Sequence, residues 1–313
     1  MKRSLKIFSV LLLLIFITRQ AVAADDFEFE KKKTFTQTYS LAGNKEVSLK
    51  NSFGRIVIHT WRRGEVKVDV TITAKSNQEA KTQDILDGIR ILSNDGATIS
   101  FETKINSNNN NNYTSSGNKK EYRNSSSSME INYEVYLPET TSLKITNKFG
   151  PVLVPDWRGD LHIDESFGDL TTGIISKNKG ITVKFGKLLS KKIIDPDLTV
   201  EFSTVKIDAL SGDVKATLKF CKNSEIGFDR NTRDVQLNTS YTNMILNIPS
   251  NLNTTLSIRN SFSDLKNRSS INIQDITKET RYGPTFTRSF TSTIGNGASS
   301  FSIKSSYSNI EIR

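Results

Sequence analysis

The chain has 313 residues, with 43 Lys and Arg against 33 Asp and Glu and a formal net charge of +10. Its single cysteine excludes an intramolecular disulfide. The positive charge is interleaved with acidic residues and has no basic-aromatic motif beside it, which argues against nucleic-acid binding and leaves only weak, salt-sensitive attraction to anionic surfaces.

The first residues predict a secretory signal peptide over 1–23. Lys2, Arg3 and Lys6 precede an apolar stretch from residue 7 to residue 17, and Ala21-Val22-Ala23 supplies a small-x-small cleavage sequence. A retained membrane anchor is the alternative. No later stretch approaches the length of a membrane helix, so we expect no transmembrane segment after signal removal. The expected location is the periplasm, the outer surface or the extracellular space.

Residues 24–137 predict a β-rich N-terminal module. Alternating apolar residues over 66–72 indicate a strand. Ser76-Asn77-Gln78-Glu79 is typical of a helix N-terminus, so one short helix should follow, with Ile85 and Ile89 on one face. Asn94-Asp95-Gly96 indicates a tight turn before a strand over 98–105.

The module also contains an interruption of low complexity. Residues 106–128 are rich in asparagine and serine and predict a disordered loop. A strand over 131–137 follows, so the loop is expected to be that of a long hairpin. We expect the module over 24–137 to cap a second region, 138–313.

One short pattern recurs ten times along the chain: apolar-x-apolar-x-x-x-aromatic-small-x-apolar. From Phe149 onward its intervals are 18, 18, 17, 18, 21, 21, 20 and 25 residues. A period near 20 residues indicates a repeat architecture. The aromatic position is filled by Phe53, Phe149, Phe167, Phe185, Phe202, Phe220, Tyr241, Phe262, Tyr282 and Tyr307.

The repeat predicts an all-β, single-chain β-solenoid over 138–313, with coils of about 18–21 residues. The apolar positions before each aromatic lie two residues apart and therefore on one face of a strand. The residue after each aromatic is small, which permits positive φ or close backbone approach and predicts a corner. Equivalent positions should stack about 4.8 Å apart, with the aromatics in one column of buried rings. A β-sandwich is the alternative. Cys221 fills one small position, so we expect it to be structural.

Two stretches resemble the bacterial putative-adhesin family of unknown function, which is of Bacteroidetes type. The first is Leu49-Lys50-Asn51-Ser52-Phe53-Gly54-Arg55-Ile56-Val57-Ile58 with Trp61 and a following Val-x-Val-x-Val strand; the second is Val135-Tyr136-Leu137-Pro138 with residues 143–150. The resemblance covers nearly all of the chain after residue 23. It implies an exported protein with a repetitive β fold and, from the family name, adhesion. It implies no catalytic residues. The asparagine-rich insertion and the Ser, Thr or Cys at later corners depart from the family pattern.

Few residues suggest chemistry. His59 and His162 have neither metal-ligand nor triad spacing, so we expect exposed strand histidines. Asp169 and Lys187 occupy one position in successive coils, which predicts a solvated ion pair. A scattered acidic cluster consists of Asp195, Asp197 and Asp208. No catalytic, cofactor-binding or metal-binding residue is assigned, and no cofactor is expected.

These observations favour a non-catalytic exported cell-envelope protein, adhesin-like or scaffolding, that binds an envelope protein or a glycan. The alternatives are a carbohydrate-active β-helix enzyme that cleaves polysaccharides, which would require a cluster of carboxylates on one outer face, and an envelope signalling accessory. Residues 307–313 lie inside a repeat, which predicts an open strand edge at the C-terminal coil. Such an edge would support self-association or the docking of a partner by strand addition.

Overall fold

The computed structural model of the chain describes residues 27–43, 45–106, 126–278 and 285–313. The predicted signal peptide, most of the predicted disordered loop and Tyr282 lie outside the described residues. The described residues form strands and a single helix, so the predicted all-β class is confirmed. That helix is nine residues long, and nothing helical in the described ranges is long and apolar enough to cross a bilayer.

The helix is α1 (Glu79–Asp87), and 22 strands occur in the described residues. In chain order the strands are β1 (Phe29–Ser40), β2 (Glu46–Ser52), β3 (Ile56–Thr60), β4 (Glu65–Ser76), β5 (Ile89–Asp95), β6 (Thr98–Ile105), β7 (Ser127–Leu137), β8 (Leu143–Lys148), β9 (Val152–Val154), β10 (Trp157–Ser166), β11 (Leu170–Lys184), β12 (Lys187–Ile194), β13 (Asp197–Glu201), β14 (Thr204–Lys219), β15 (Ser224–Ser240), β16 (Met244–Asn247), β17 (Thr254–Ser261), β18 (Asp264–Asn267), β19 (Gln274–Asp275), β20 (Thr287–Ile294), β21 (Ser299–Ser306) and β22 (Asn309–Ile312).

The strands form two faces joined at corners. The first face contains, side by side and in parallel, β6, β2, β8, β10, the second half of β11, β13, the second halves of β14 and β15, β21 and β17. The second face contains β7, β3, β9, the first half of β11, β12, the first halves of β14 and β15, β16, β22 and β18. One strand from each face, with the corner between them, makes a rung.

Each corner is made by an aromatic residue and the small residue after it. Nine aromatics of the repeat, from Phe53 to Tyr307, have φ between 50° and 64°. The small residues have ordinary φ, but a Cβ on Gly150 would overlap the carbonyl oxygen of Gly54 on the neighbouring rung. The aromatic therefore supplies the left-handed backbone, and the small residue permits close approach of the rungs. The sequence pattern allowed positive φ or close backbone approach at the small residue and did not assign positive φ to the aromatic.

The alternating apolar residues of the two faces point into the space between them and form the core. Leu143, Ile145, Leu161 and Ile163 on the first face are buried, as are Val152 and Leu170 on the second. The residues between them face solvent, because side chains alternate along a strand. Among all buried hydrophobic residues of the described ranges, Ile and Val make up the majority, as expected for paired strands.

The N-terminal region extends both faces with antiparallel strands. On the second face β7 pairs with β4 and β4 pairs with β1, whereas on the first face β5 pairs with β6. The predicted strands over 66–72, 98–105 and 131–137 are confirmed. The predicted hairpin is wrong, because β6 and β7 lie on different faces and have other partners. The boundary between residues 137 and 138 stays a prediction.

The predicted short helix is present, but it does not use the expected capping box. Gln78 is the N-cap and makes no side-chain capping hydrogen bond. Ser76 lies two residues earlier at the end of β4, where its hydroxyl accepts from the Gln78 backbone N–H. The buried helix residues are Thr82 and Leu86.

The C-terminal strands lie inside the stack and not at its end. After β16 the chain forms β17 and β18, returns through the antiparallel β20, and then places β21 between β15 and β17. In the same way β22 lies between β16 and β18. The prediction of an open edge at the C-terminal coil is therefore wrong, and self-association through that edge loses its basis.

Candidate binding surface: a basic groove beside an aromatic ladder

The corner aromatics form a continuous ladder on the outside of the stack. Consecutive ring centroids are 4.8–5.0 Å apart, and the rings are nearly parallel. This confirms the predicted stacking of Phe167, Phe185 and Phe202. The rings follow the order of the rungs: Phe53, Phe149, Phe167, Phe185, Phe202, Phe220, Tyr241, Tyr307, Phe262 and Phe286.

The ladder has a structural role that follows from its geometry. A left-handed backbone costs a non-glycine residue about 1–2 kcal/mol. A stacked aromatic pair contributes about 0.5–1.5 kcal/mol beyond burial, so a ring with two neighbours offsets that strain. Each ring remains about half exposed, with Phe185 at 47%. The exposed part is the ring edge, because neighbouring rings cover both faces.

Polar residues fill the inner side of the corners at the N-terminal end. The amides of Asn51 and Asn147 both donate to the carbonyl of Gly54, and Asn147 also donates to that of Gly150. Glu165 takes the same position on the next rung and is fully buried. Neither of its carboxyl oxygens has a hydrogen-bond partner among the described residues. Burial raises the pKa of this carboxyl from its usual value to about 8, so it is neutral at pH 7.

Later corners replace glycine with residues that hydrogen-bond from rung to rung. The Thr242 hydroxyl accepts from the backbone N–H of Cys221, and Ser308 accepts in turn from that of Thr242. Ser263 then accepts from the Ser308 N–H. Cys221 is itself buried, with its thiol 3.4 Å from two carbonyl oxygens, and burial raises its thiol pKa. Its predicted structural role is therefore confirmed.

A shallow groove of about 440 Å³ crosses four rungs of the first face next to the ladder. We call it the basic groove. On each rung the walls are formed by two outward-facing residues, such as Lys304 and Ser306 on β21. The floor is formed by the backbone and the inward-facing residue between them. The lining residues are Thr217, Leu218, Lys219, Asn238, Thr239, Ser240, Arg259, Ser261, Lys304, Ser305 and Ser306.

The charges of the basic groove are positive without a balancing acid. Arg259 and Lys304 are directly opposite each other on β17 and β21, and both are exposed. Within the described residues neither forms an ion pair, and no acidic residue lines the groove. Lys219 makes only a loose contact, 3.9 Å from Glu201. Like charges placed opposite on neighbouring strands repel, so the pair is suited to an anion.

The residues that the sequence singled out do not assemble into a site. Asp169 and Lys187 form the expected exposed ion pair, at 3.5 Å. The aspartates of the scattered acidic cluster have different partners: Asp195 contacts Arg233, and Asp197 lies 3.8 Å from Lys215. Asp208 is exposed, with no hydrogen bond or ion pair of its side chain in the described residues.

The two histidines are surface residues of strands, as predicted. His59 lies 2.6 Å from a Glu134 carboxyl oxygen and stacks on Tyr136, and His162 lies 3.0 Å from Asp164. In the ranges that the structure describes, no three His, Cys, Asp or Glu side chains are placed to hold a metal ion.

Sequence reasoning missed the basic groove. Arg259 and Lys304 are 45 residues apart in sequence and become neighbours only because β21 is inserted next to β17. Arg259 and Lys304 occupy the same position of the repeat, three residues before the aromatic. Read in sequence order, however, the pattern makes Asn238 the neighbour of Arg259 and does not place Lys304 between them. Phe286 was also missed, because it lies immediately before the antiparallel strand β20 and outside the repeat pattern.

No protein-family model matches the chain, and neither does any curated protein. Three solved structures are similar over 90% of the chain: a putative cell adhesion protein from Clostridium sporogenes ATCC 15579 (12% identity, 99% of that chain, TM-score 0.25), a putative adhesin from Bacteroides fragilis NCTC 9343 (8%, 97%, 0.36) and a putative adhesin from Parabacteroides distasonis ATCC 8503 (10%, 97%, 0.28). Their names confirm the resemblance to putative adhesins. With TM-scores below 0.5, conclusions about fold and function rest on this chain's own residues.

Proposed function

We propose that the chain is an exported, non-catalytic, adhesin-like binding protein of the cell envelope. Residues 1–23 are its signal peptide, 24–137 its N-terminal module and 138–313 its coils. The architecture in this proposal is a β-solenoid. Its support is the parallel pairing of each rung with the next and the single row of corner rings.

The observation that carries the binding role is the basic groove. Its exposed cations and hydroxyls are donors held on adjacent strands of a hydrogen-bonded sheet, so they are positioned before a ligand arrives. Binding that needs no ordering of loops loses less conformational entropy. A glycan or an extended protein segment with acceptor groups fits such a surface.

The enzyme alternative has its best candidate in the Asp169–Lys187 pair. These side chains are both about half exposed and contact each other across one rung. A glycoside-cleaving site needs a second carboxyl group at a defined distance from the first. The pair supplies one carboxylate only, so the binding role is the better supported of the two.

An array of glycans and polysaccharides, scored for bound protein and for released product, tests the proposal. We expect retention on at least one polymer without release of reducing ends. Turnover that is lost in Asp169→Asn would establish the enzyme alternative. Absence of retention on every polymer would reject glycan binding as the function.

A further inference from the structure

We propose that the basic groove binds a linear acidic polysaccharide that runs along the stack, with an acidic group held between Arg259 and Lys304. The inference rests on the proposed binding function and specifies the ligand class of that site. It assigns the carboxylate or sulfate groups of the polymer to the two cations and the sugar hydroxyls to the neighbouring serines and asparagine.

The first argument is charge. Several outward cations of the same face contact an acid on a neighbouring strand, as in Lys184–Glu201 at 3.0 Å and Lys50–Glu102 at 2.9 Å. Lys144 and Lys148 have no ion pair among the described residues, but no Lys or Arg lies directly opposite either of them. Arg259 and Lys304 are adjacent and have no such acid among the described residues. An anion between them would make charge-assisted hydrogen bonds to both and remove their mutual repulsion.

The second argument is the row of neutral donors beside the cations. Ser240 and Ser306 lie on consecutive rungs and are half-buried, and their hydroxyls have no side-chain partner in the described part of the chain. Asn238 is directly opposite Lys304 and is exposed. These groups donate and accept hydrogen bonds, as recognition of sugar hydroxyls requires.

The third argument is spacing. Lys219 lies two rungs from Lys304 along the stack and two residues further along the strand direction, in the row that contains Ser240 and Ser306. Two rungs correspond to about 10 Å along the stack at the usual strand separation. A disaccharide unit spans a comparable length, so a polymer acidic at every second sugar places successive charges near Lys304 and Lys219.

A nucleic acid, the other common linear polyanion, fits less well. Proteins bind single strands by stacking bases on the exposed faces of aromatic side chains. Tyr241, Tyr307 and Phe262 adjoin the groove, but each ring is covered on both faces by its neighbours at 4.9–5.0 Å. Only ring edges are available, so the aromatic ladder offers no stacking platform.

The test compares matched polymers and matched variants of the whole chain. The polymers are dextran sulfate, polygalacturonate, unmodified dextran and single-stranded oligothymidylate, each measured by calorimetry or biolayer interferometry from 0.05 to 0.5 M NaCl. The site variant is Arg259→Glu with Lys304→Glu. The control is Lys144→Glu with Lys148→Glu, two exposed lysines of the same face with the same change in net charge. Circular dichroism checks that both variants are folded.

We expect dextran sulfate, polygalacturonate or both to bind, and plain dextran to bind more weakly. Binding by sulfate alone or carboxylate alone identifies the acidic group. The site variant should lose about tenfold or more in affinity, as expected from losing one charge-assisted hydrogen bond, and the control should change less than about threefold. Equal losses of affinity in the two variants would mean that only the net charge of the protein matters, and would overturn the proposal.

Two further outcomes also overturn it. Oligothymidylate bound as tightly as the acidic polysaccharides, with the same loss in the site variant, would assign the groove to nucleic acid. Dextran bound as tightly as dextran sulfate, and unaffected by the site variant, would show that the chain binds glycans elsewhere. That last result leaves the proposed binding function standing and rejects the acidic ligand alone.

Discussion

Raising the pH from 6 to 9 should destabilise the protein through Glu165. Its carboxyl is fully buried, lies among backbone carbonyls at the inner corner and has no hydrogen-bond partner among the described residues. Burial raises its pKa from 4.5 to about 8. The folded state therefore holds a proton that the unfolded chain releases above about pH 4.5, and the resulting stability is lost as pH rises through about 8. The full effect is about 5 kcal/mol, of which about 3 kcal/mol falls between pH 6 and 9.

Urea unfolding followed by circular dichroism at pH 6 and pH 9 measures this loss. Glu165→Gln keeps the shape of the side chain and supplies an amide like that of Asn147, but it cannot ionise. Its free energy of unfolding should therefore vary less with pH than that of the parent, by about 3 kcal/mol. Glu46→Gln, at an exposed position of β2, is the control and should follow the parent. The reasoning is refuted if Glu165→Gln and the parent lose the same stability between the two pH values.

Three further changes probe the corners and the inserted strands. Phe185→Ala should lower the free energy of unfolding by about 2–3 kcal/mol, because it removes two stacked contacts and a half-buried ring. Phe185→Gly should be about 1 kcal/mol more stable than Phe185→Ala, since glycine adopts positive φ freely. Equal chemical-denaturation midpoints for the two variants would contradict this account. The Cys221 thiol should resist alkylation in the folded protein and react once urea unfolds it, because it is buried and its pKa is raised, whereas rapid labelling of the native state would show an open corner. Ile310→Lys should lower the thermal midpoint without changing the sedimentation coefficient, because Ile310 is buried between β16 and β18; a variant as stable as the parent would mean that β22 is not inserted.

The corner pattern made much of the fold predictable from sequence. Each repeat contains apolar residues two apart, which form the buried face of a strand, followed by an aromatic and a small residue, which form a corner. The all-β class and the stacked rings therefore followed from the periodicity. What periodicity could not assign was which corner residue has positive φ. It also suggested buried aromatics, whereas Phe185 is 47% exposed, because rings that stack on each other need no cover at their edges.

The order of the rungs could not be predicted, for a different reason. The pattern around Tyr307 is the same whether the rung lies at the end of the stack or inside it, since both positions need Ile303 and Ile310 buried. Only the long-range pairing of β21 and β22 distinguishes the two cases. The basic groove depends on that pairing, so it was beyond the reach of the sequence as well.

The insertion of β21 and β22 also determines how the molecule bears mechanical load. A strand at the edge of a sheet peels away one hydrogen bond at a time when it is pulled sideways. A tension applied at Arg313 along β22 instead acts on a strand held by β16 on one side and β18 on the other, and loads both rows of hydrogen bonds together in shear. Extraction would also have to separate Tyr307 from Tyr241 and Phe262, between which its ring is stacked. Because the two rows share the load, many hydrogen bonds must break together before β22 can leave the sheet.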